Sequence, residues 1–326
     1  MAAMTIGWMR FTVPLPLISH AIIGKSGTKA AVRRRNCWKG SHGAFDTKVM
    51  RIDFVPLLAI QREIYSVPRG MERFRNYLRT LVDDTGDDVE FPPLIAINPM
   101  ARDHVPAMID ALIALDADAL AAQALADAAA DLGENAGKSA NALTFRSSLI
   151  VVDDFNRGGW TNRFTVEHDM RMGCNPQGKR FWITGVLWSS EAPPTARAVR
   201  ESVLTAAYRT AFVLAHGRPQ NLRDLLAQEA WTLTRAGCAA PAAGLYNQVS
   251  PDESEIEYTR EVLNDYLDRN EMGVLIAAMF GDNAARELGY DPMGLSDWAG
   301  LWSALHYASL APATDKASGQ GSARHL

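Results

Sequence analysis

Two apolar runs constrain this chain more than anything else in it: SLIVVDD, ending at Asp154, and RFWITGVLWSS, ending at Ser190. Runs of this length, rich in β-branched and aromatic residues, read as buried strands, so a sheet has to form here and other elements must cover it. Between them lies DDFNRGGWTNRFTVEHDMR, Asp153 to Arg171, in which RFTVEHDMR alternates apolar and polar residues. Alternation is the period of a strand. It predicts a further strand with Phe164, Val166, His168 and Met170 on one face and Arg163, Thr165, Glu167, Asp169 and Arg171 on the other. Short connections favour hairpins, so the expected fold is α+β: a small antiparallel sheet of about three strands over 143–190, covered by helices from both halves of the chain.

The helical parts are expected at 50–135 and 195–310, within one globular domain spanning 50–310. Met71, Phe74, Leu78 and Leu81 recur at helical spacing, and AMIDALIALDADALAAQALADAAADL combines that pattern with high helix propensity up to Gly133. Thr195 and Asn221 suit N-caps, and His216-Gly217 suits a helix end. Ser250-Pro251-Asp252-Glu253 reads as a capping box opening a helix to about Asp268, and further helices are expected over 274–288 and 296–308.

Charge is uneven. Residues 1–49 carry eight Lys and Arg against one Asp, while the rest carries 25 basic and 36 acidic residues, which argues against a nucleic-acid groove in the main body. The first 49 residues lack helical or strand periodicity and are expected to be a disordered or non-native extension, with Met50 as the true start; the tail 311–326 is expected to be disordered. No apolar run approaches the roughly 20 residues of a membrane span. Three scattered cysteines, Cys37, Cys174 and Cys238, make no disulfide framework and suit a reducing compartment, so the expectation is a soluble, cytoplasmic protein of bacterial type. GKS at Gly24–Ser26 is no phosphate loop, because its leading glycine would fall at Ser19. No particular cofactor is implied.

A meander would gather Asp153, Asp154, Arg157, Trp160, Asn162, Arg163, Ser189, Ser190 and Glu191 along one sheet edge. Asp153, Asp154 and Glu191 are then candidate catalytic acids or bases, and Arg157, Trp160, Asn162 and Arg163 candidate ligand contacts. Carboxylates beside arginines and a flat aromatic suit a small polar or anionic molecule. Two alternatives follow from other residues. His168, His216, Cys174 and Glu229 are metal-ligand types in loose spacing without HExxH or CxxC. Trp298 and Trp302, four apart on the last helix, could offer a docking face to a protein partner.

Overall fold

The computed structural model describes residues 50–86, 88–134, 143–155, 161–172, 182–191, 193–246 and 249–310. The extension 1–49 and the tail 311–326 lie outside them. Three strands, β1 (Met50–Phe54), β2 (Leu143–Val152) and β3 (Trp182–Trp188), form one sheet in the order β1-β2-β3. Both pairings are parallel, with Met50 beside Leu143 and Arg146 beside Trp182.

The parallel pairing overturns the antiparallel meander. The two apolar runs are strands, but RFTVEHDMR is a helix, α5 (Arg163–Met172), and the third strand comes from the segment at Met50. Parallel neighbours cannot be joined by a tight turn; they need a crossover, and α5 lies within it. The alternation misled for a simple reason. Residues 163, 167 and 171 sit at i, i+4 and i+8, so a period of two also contains a helical face. Here the charged face is the buried one: Glu167 and Arg171 are the buried residues of α5.

Helices α1 (Leu58–Ile64), α2 (Met71–Leu81), α3 (His104–Ala114) and α4 (Ala117–Glu134) fill the first crossover, between β1 and β2. After β3 come α6 (Ala196–His216), α7 (Leu222–Arg235), α8 (Glu253–Asn264), α9 (Met272–Phe280), α10 (Asp282–Leu288) and α11 (Ala299–Leu310). The protein is therefore a helix-dominated α+β fold, with helices from both halves around a small sheet. Two expected long helices are each divided, one at Asp116 with φ 55° and one at Gly281 with φ 87°. Thr195 and Asn221 cap as their chemistry suggests, accepting the amides of Ala198 at 3.1 Å and Asp224 at 3.0 Å. The cap of α8 is Asp252 rather than Ser250. Its carboxylate takes the Glu255 amide at 2.9 Å, and an ionised acceptor is stronger than a hydroxyl.

A parallel sheet buries both faces. Phe145, Leu149 and Val151 of β2 face a core shared with Ile109, Leu125 and Val203 of α3, α4 and α6. Ile150, Val152 and Trp188 face the opposite way, onto Leu57, Ile64, Tyr77 and Ile97. A third core, around Leu226, Leu275, Phe280 and Leu301, joins the C-terminal helices. Gly185 lets α6 lie close on β3, since a Cβ there would stand 2.7 Å from Val203 Cγ1. Among the described residues, no helix is long and apolar enough to cross a membrane.

Strand β1 is half the length of β2, so among the described residues the end of β2 has no strand partner on that side. The side-chain amide of Gln61 substitutes for one, donating to the Val151 carbonyl at 2.6 Å and accepting the Val151 amide at 3.0 Å. Gln61 is fully buried. Gln61→Leu is expected to leave two buried backbone groups unpaired and to cost about 2–4 kcal/mol, measured by urea unfolding. A loss below about 1 kcal/mol would show that water replaces the amide.

Candidate functional site

Because all strands run the same way, their carboxyl ends share one edge. Asp153 and Asp154 leave β2 there and Ser189, Ser190 and Glu191 leave β3. In open α/β sheets ligands bind outside the carboxyl ends of the strands where the strand order reverses; the order β1-β2-β3 has no reversal among the described strands, so the edge is read from its side chains. Of the residues expected at one edge, Asp153, Asp154, Arg163, Ser189, Ser190 and Glu191 lie in contact, through parallel pairing and a helix.

Asp153 is 4% exposed. One oxygen meets His104 Nε2 at 2.9 Å and the other accepts from Asn98 Nδ2 at 2.8 Å. Burial pushes its carboxyl up, but the hydrogen bonds from His104, Asn98 and the Phe155 amide prevail and hold it below the ordinary range. Asp153 is thus a charged orienting group for His104, which stands at the start of α3 with its ring 5.2 Å from that of Phe155.

Asp154 ties β2 to β3. It accepts from Ser189 Oγ at 3.1 Å, the Ser190 amide at 2.9 Å and Ser190 Oγ at 2.7 Å, and Arg163 NH1 lies 3.5 Å away. Asn162 caps α5, taking the Thr165 amide at 3.0 Å, and donates to Glu287 at 2.8 Å. Arg163 is the hub. Its guanidinium bonds Glu191, lies 3.8 Å from Glu167, and packs against the indoles of Trp188 and Trp298, with centroids at 5.3 and 4.9 Å. Its Nε is buried without a hydrogen-bond partner among the described residues. Trp298 reaches this position with a φ of 63°, unusual for a bulky side chain, and is held by Phe164 and Phe280.

Behind Arg163 the charges continue inward along α5. Glu167 accepts from Trp188 Nε1 at 2.7 Å and from Arg171. Arg171 Nε donates to Glu229 at 2.9 Å, and Arg209 grips the same carboxylate with two bonds, at 2.7 and 2.9 Å. Burial pushes Glu229 up, yet the two guanidiniums outweigh it and bring the carboxyl down to about 2. Glu191 is opposite in character: burial lifts it above its ordinary value in spite of Arg163.

A cavity of about 70 Å³ lies along this chain of charges, lined among others by Arg163, Glu167, Glu191, Glu201, Cys238 and Tyr246. Glu201 on α6 takes Arg197 Nε at 2.7 Å and the Tyr246 hydroxyl. Burial drives the Cys238 thiol and the Tyr246 hydroxyl upward, so both stay protonated.

Arg157, Trp160 and Cys174 lie outside the described residues. His168 is bonded to its neighbour Asp169 at 3.1 Å, His216 stacks on Phe212 at the end of α6, and Glu229 is committed to two arginines. Among the described residues, no group of three or more His, Cys, Asp and Glu side chains is placed to hold a metal ion. Trp298 is buried in the C-terminal core and Trp302 packs against it. Sequence reasoning missed His104, Asn98, Arg209, Glu201 and Tyr246. The i, i+4, i+8 spacing of Arg163, Glu167 and Arg171 was the one signal in the sequence that pointed to the charged helix face. Neither a family model nor a curated protein nor a solved structure matches this chain.

Proposed function

We propose that the protein binds a small polar molecule at the carboxyl edge of its sheet, and that it is an enzyme able to move a proton there. One observation carries the reading: a cavity walled by Arg163, Glu167, Glu191 and Glu201 lies beside the carboxyl end of β3. Arg163 supplies a fixed donor, since two indoles and three carboxylates hold its guanidinium before any ligand arrives. Glu191 and Asp153 differ in environment as an acid and a base must, one lifted by burial and the other held ionised. A cytoplasmic setting belongs to the same proposal, supported by the free thiol of Cys238.

Thermal-shift screening of the full chain against small carboxylates, amines, amides and phosphate tests the reading. A compound that binds is expected to lose at least about tenfold in affinity in both Arg163→Ala and Arg163→Lys, because lysine keeps the charge without the planar stack. Affinity unchanged in Arg163→Lys and Arg163→Ala, with the fold intact by circular dichroism, would place the ligand elsewhere. No binding by any compound of the panel would remove the reading altogether.

A further inference from the structure

Helix α2 is turned away from its own apolar pattern. Met71, Phe74, Leu78 and Leu81 are the positions a core would take. Instead the helix buries Arg73, Tyr77 and Leu81 and leaves Met71 62%, Leu78 46% and Val82 36% exposed. At 3.6 residues per turn, positions 71, 78 and 82 fall within about 40° of one another, so they form one stripe along the outside. Ile95, 52% exposed, stands on the neighbouring 3-10 turn (Pro92–Ala96), and its carbonyl takes the Tyr77 hydroxyl at 3.4 Å. The orientation is fixed. Arg73 donates to the Val67 carbonyl at 2.6 Å and the Ala101 carbonyl at 3.2 Å and lies over the Tyr65 ring, so α2 cannot roll its stripe inward without losing these bonds. An apolar stripe held outward marks a surface that another surface covers.

The charges beside the stripe identify that other surface. Glu72 and Arg79, both exposed, lie seven residues apart on one flank of it. Arg69 precedes α2 and Asp84 follows it, and both are exposed. Two copies of α2 packed antiparallel about a twofold axis set Glu72 of each beside Arg79 of the other, and Arg69 of each near Asp84 of the other. The same register seats Met71 against Val82 and Leu78 against Phe74, so charge and apolar pattern agree on one alignment. A parallel pairing would set like charges together, and Glu72 and Asp84 at the rim disfavour an anionic bilayer. Arg75 falls near the axis beside its own copy and opposes the contact. Since α2 also spans only about 16 Å, the association belongs to the weak, transient class.

We propose that α2 is the contact face of a weak, twofold-symmetric homodimer, in which the stripe of Met71, Leu78 and Val82 packs antiparallel on its own copy and Glu72 pairs with Arg79 in both directions. No residue of α2 lines the cavity of Arg163 and Glu191, so the dimer stands or falls apart from the ligand site.

Sedimentation velocity of the full chain from about 1 to about 200 µM tests the dimer. The expected result is a reversible equilibrium between monomer and dimer with Kd on the order of tens of micromolar. Leu78→Glu, at an exposed position, is expected to weaken it at least about tenfold with the circular dichroism unchanged. Glu72→Arg and Arg79→Glu should each weaken self-association about threefold to tenfold. An equimolar mixture of those two variants should associate about as well as wild type, because every charge then meets its opposite across the axis. A chain that stays monomeric throughout would overturn the proposal, and binding of that monomer to phosphatidylserine vesicles would assign the stripe to a lipid surface instead. A dimer indifferent to Leu78→Glu would lie on another face. A mixture no tighter than its components would sink the antiparallel pairing.

Discussion

Glu229→Gln is expected to destabilise the protein by about 3–5 kcal/mol, the largest single effect of any conservative change in the site. Glu229 is fully buried, yet it accepts three hydrogen bonds from two guanidiniums, Arg171 and Arg209. The amide keeps the shape and removes the charge, so two cations are left facing each other with one neutral acceptor between them. Urea unfolding monitored by tryptophan fluorescence would measure the loss, because Trp188 is joined to the same network through Glu167. The pH dependence has a definite sign. Glu229 has a carboxyl lowered to about 2, so its contribution is fully present above the ordinary value of 4.5 and disappears as pH falls through about 2. The gap between wild type and Glu229→Gln should therefore be constant from neutral pH down to about 5 and close in strong acid. A variant within 1 kcal/mol of wild type at pH 7 would mean that Arg171 and Arg209 find water or another anion.

Gly281→Ala is expected to cost more than about 3 kcal/mol, from two causes that add. Gly281 has φ 87° and ψ −179°, a region that side chains rarely enter, at a cost of about 1–3 kcal/mol. A Cβ would also stand 2.1 Å from the Ser296 carbonyl oxygen, so the loop before α11 would have to move. That loop places Trp298, whose amide donates to the Phe280 carbonyl at 3.0 Å and whose indole packs on Arg163. The substitution should consequently weaken ligand binding as well as stability. Gly289→Ala is the control: φ is 77° there, but nothing lies within 4 Å of a Cβ, so only about 1 kcal/mol is expected. Equal losses in the two variants, read as Tm, would show that the carbonyl clash is relieved at little cost.

The candidate site was partly legible in advance because its chemistry is local. Asp153, Asp154, Arg163 and Glu191 flank the ends of two apolar runs, and a sheet in which those runs point the same way brings them near one another. Their roles were not legible. Asp153 reads as an acid or base until His104, 49 residues earlier, is seen against it, and Glu229 reads as a metal-ligand type until two arginines are seen to hold it. A buried ion pair has no periodic signature, since its partners come from separate helices and each looks like an ordinary surface charge in its own stretch of sequence.

The sequence by itself determined where apolar strands form, which residues cap α6 and α7, and that helices from both halves surround the sheet. These features follow from short-range patterns of size, polarity and backbone preference. Only the tertiary structure decided the direction of the strands and the identity of residues 163–172. Their alternation satisfies a strand and a helix equally well within ten residues. What settles the choice is that Glu167 and Arg171, projected from one helix face, meet Trp188 and Glu229 across the core and are neutralised there. On a solvent-facing strand edge those same charges would have stayed in water, and the buried charged cavity would not exist.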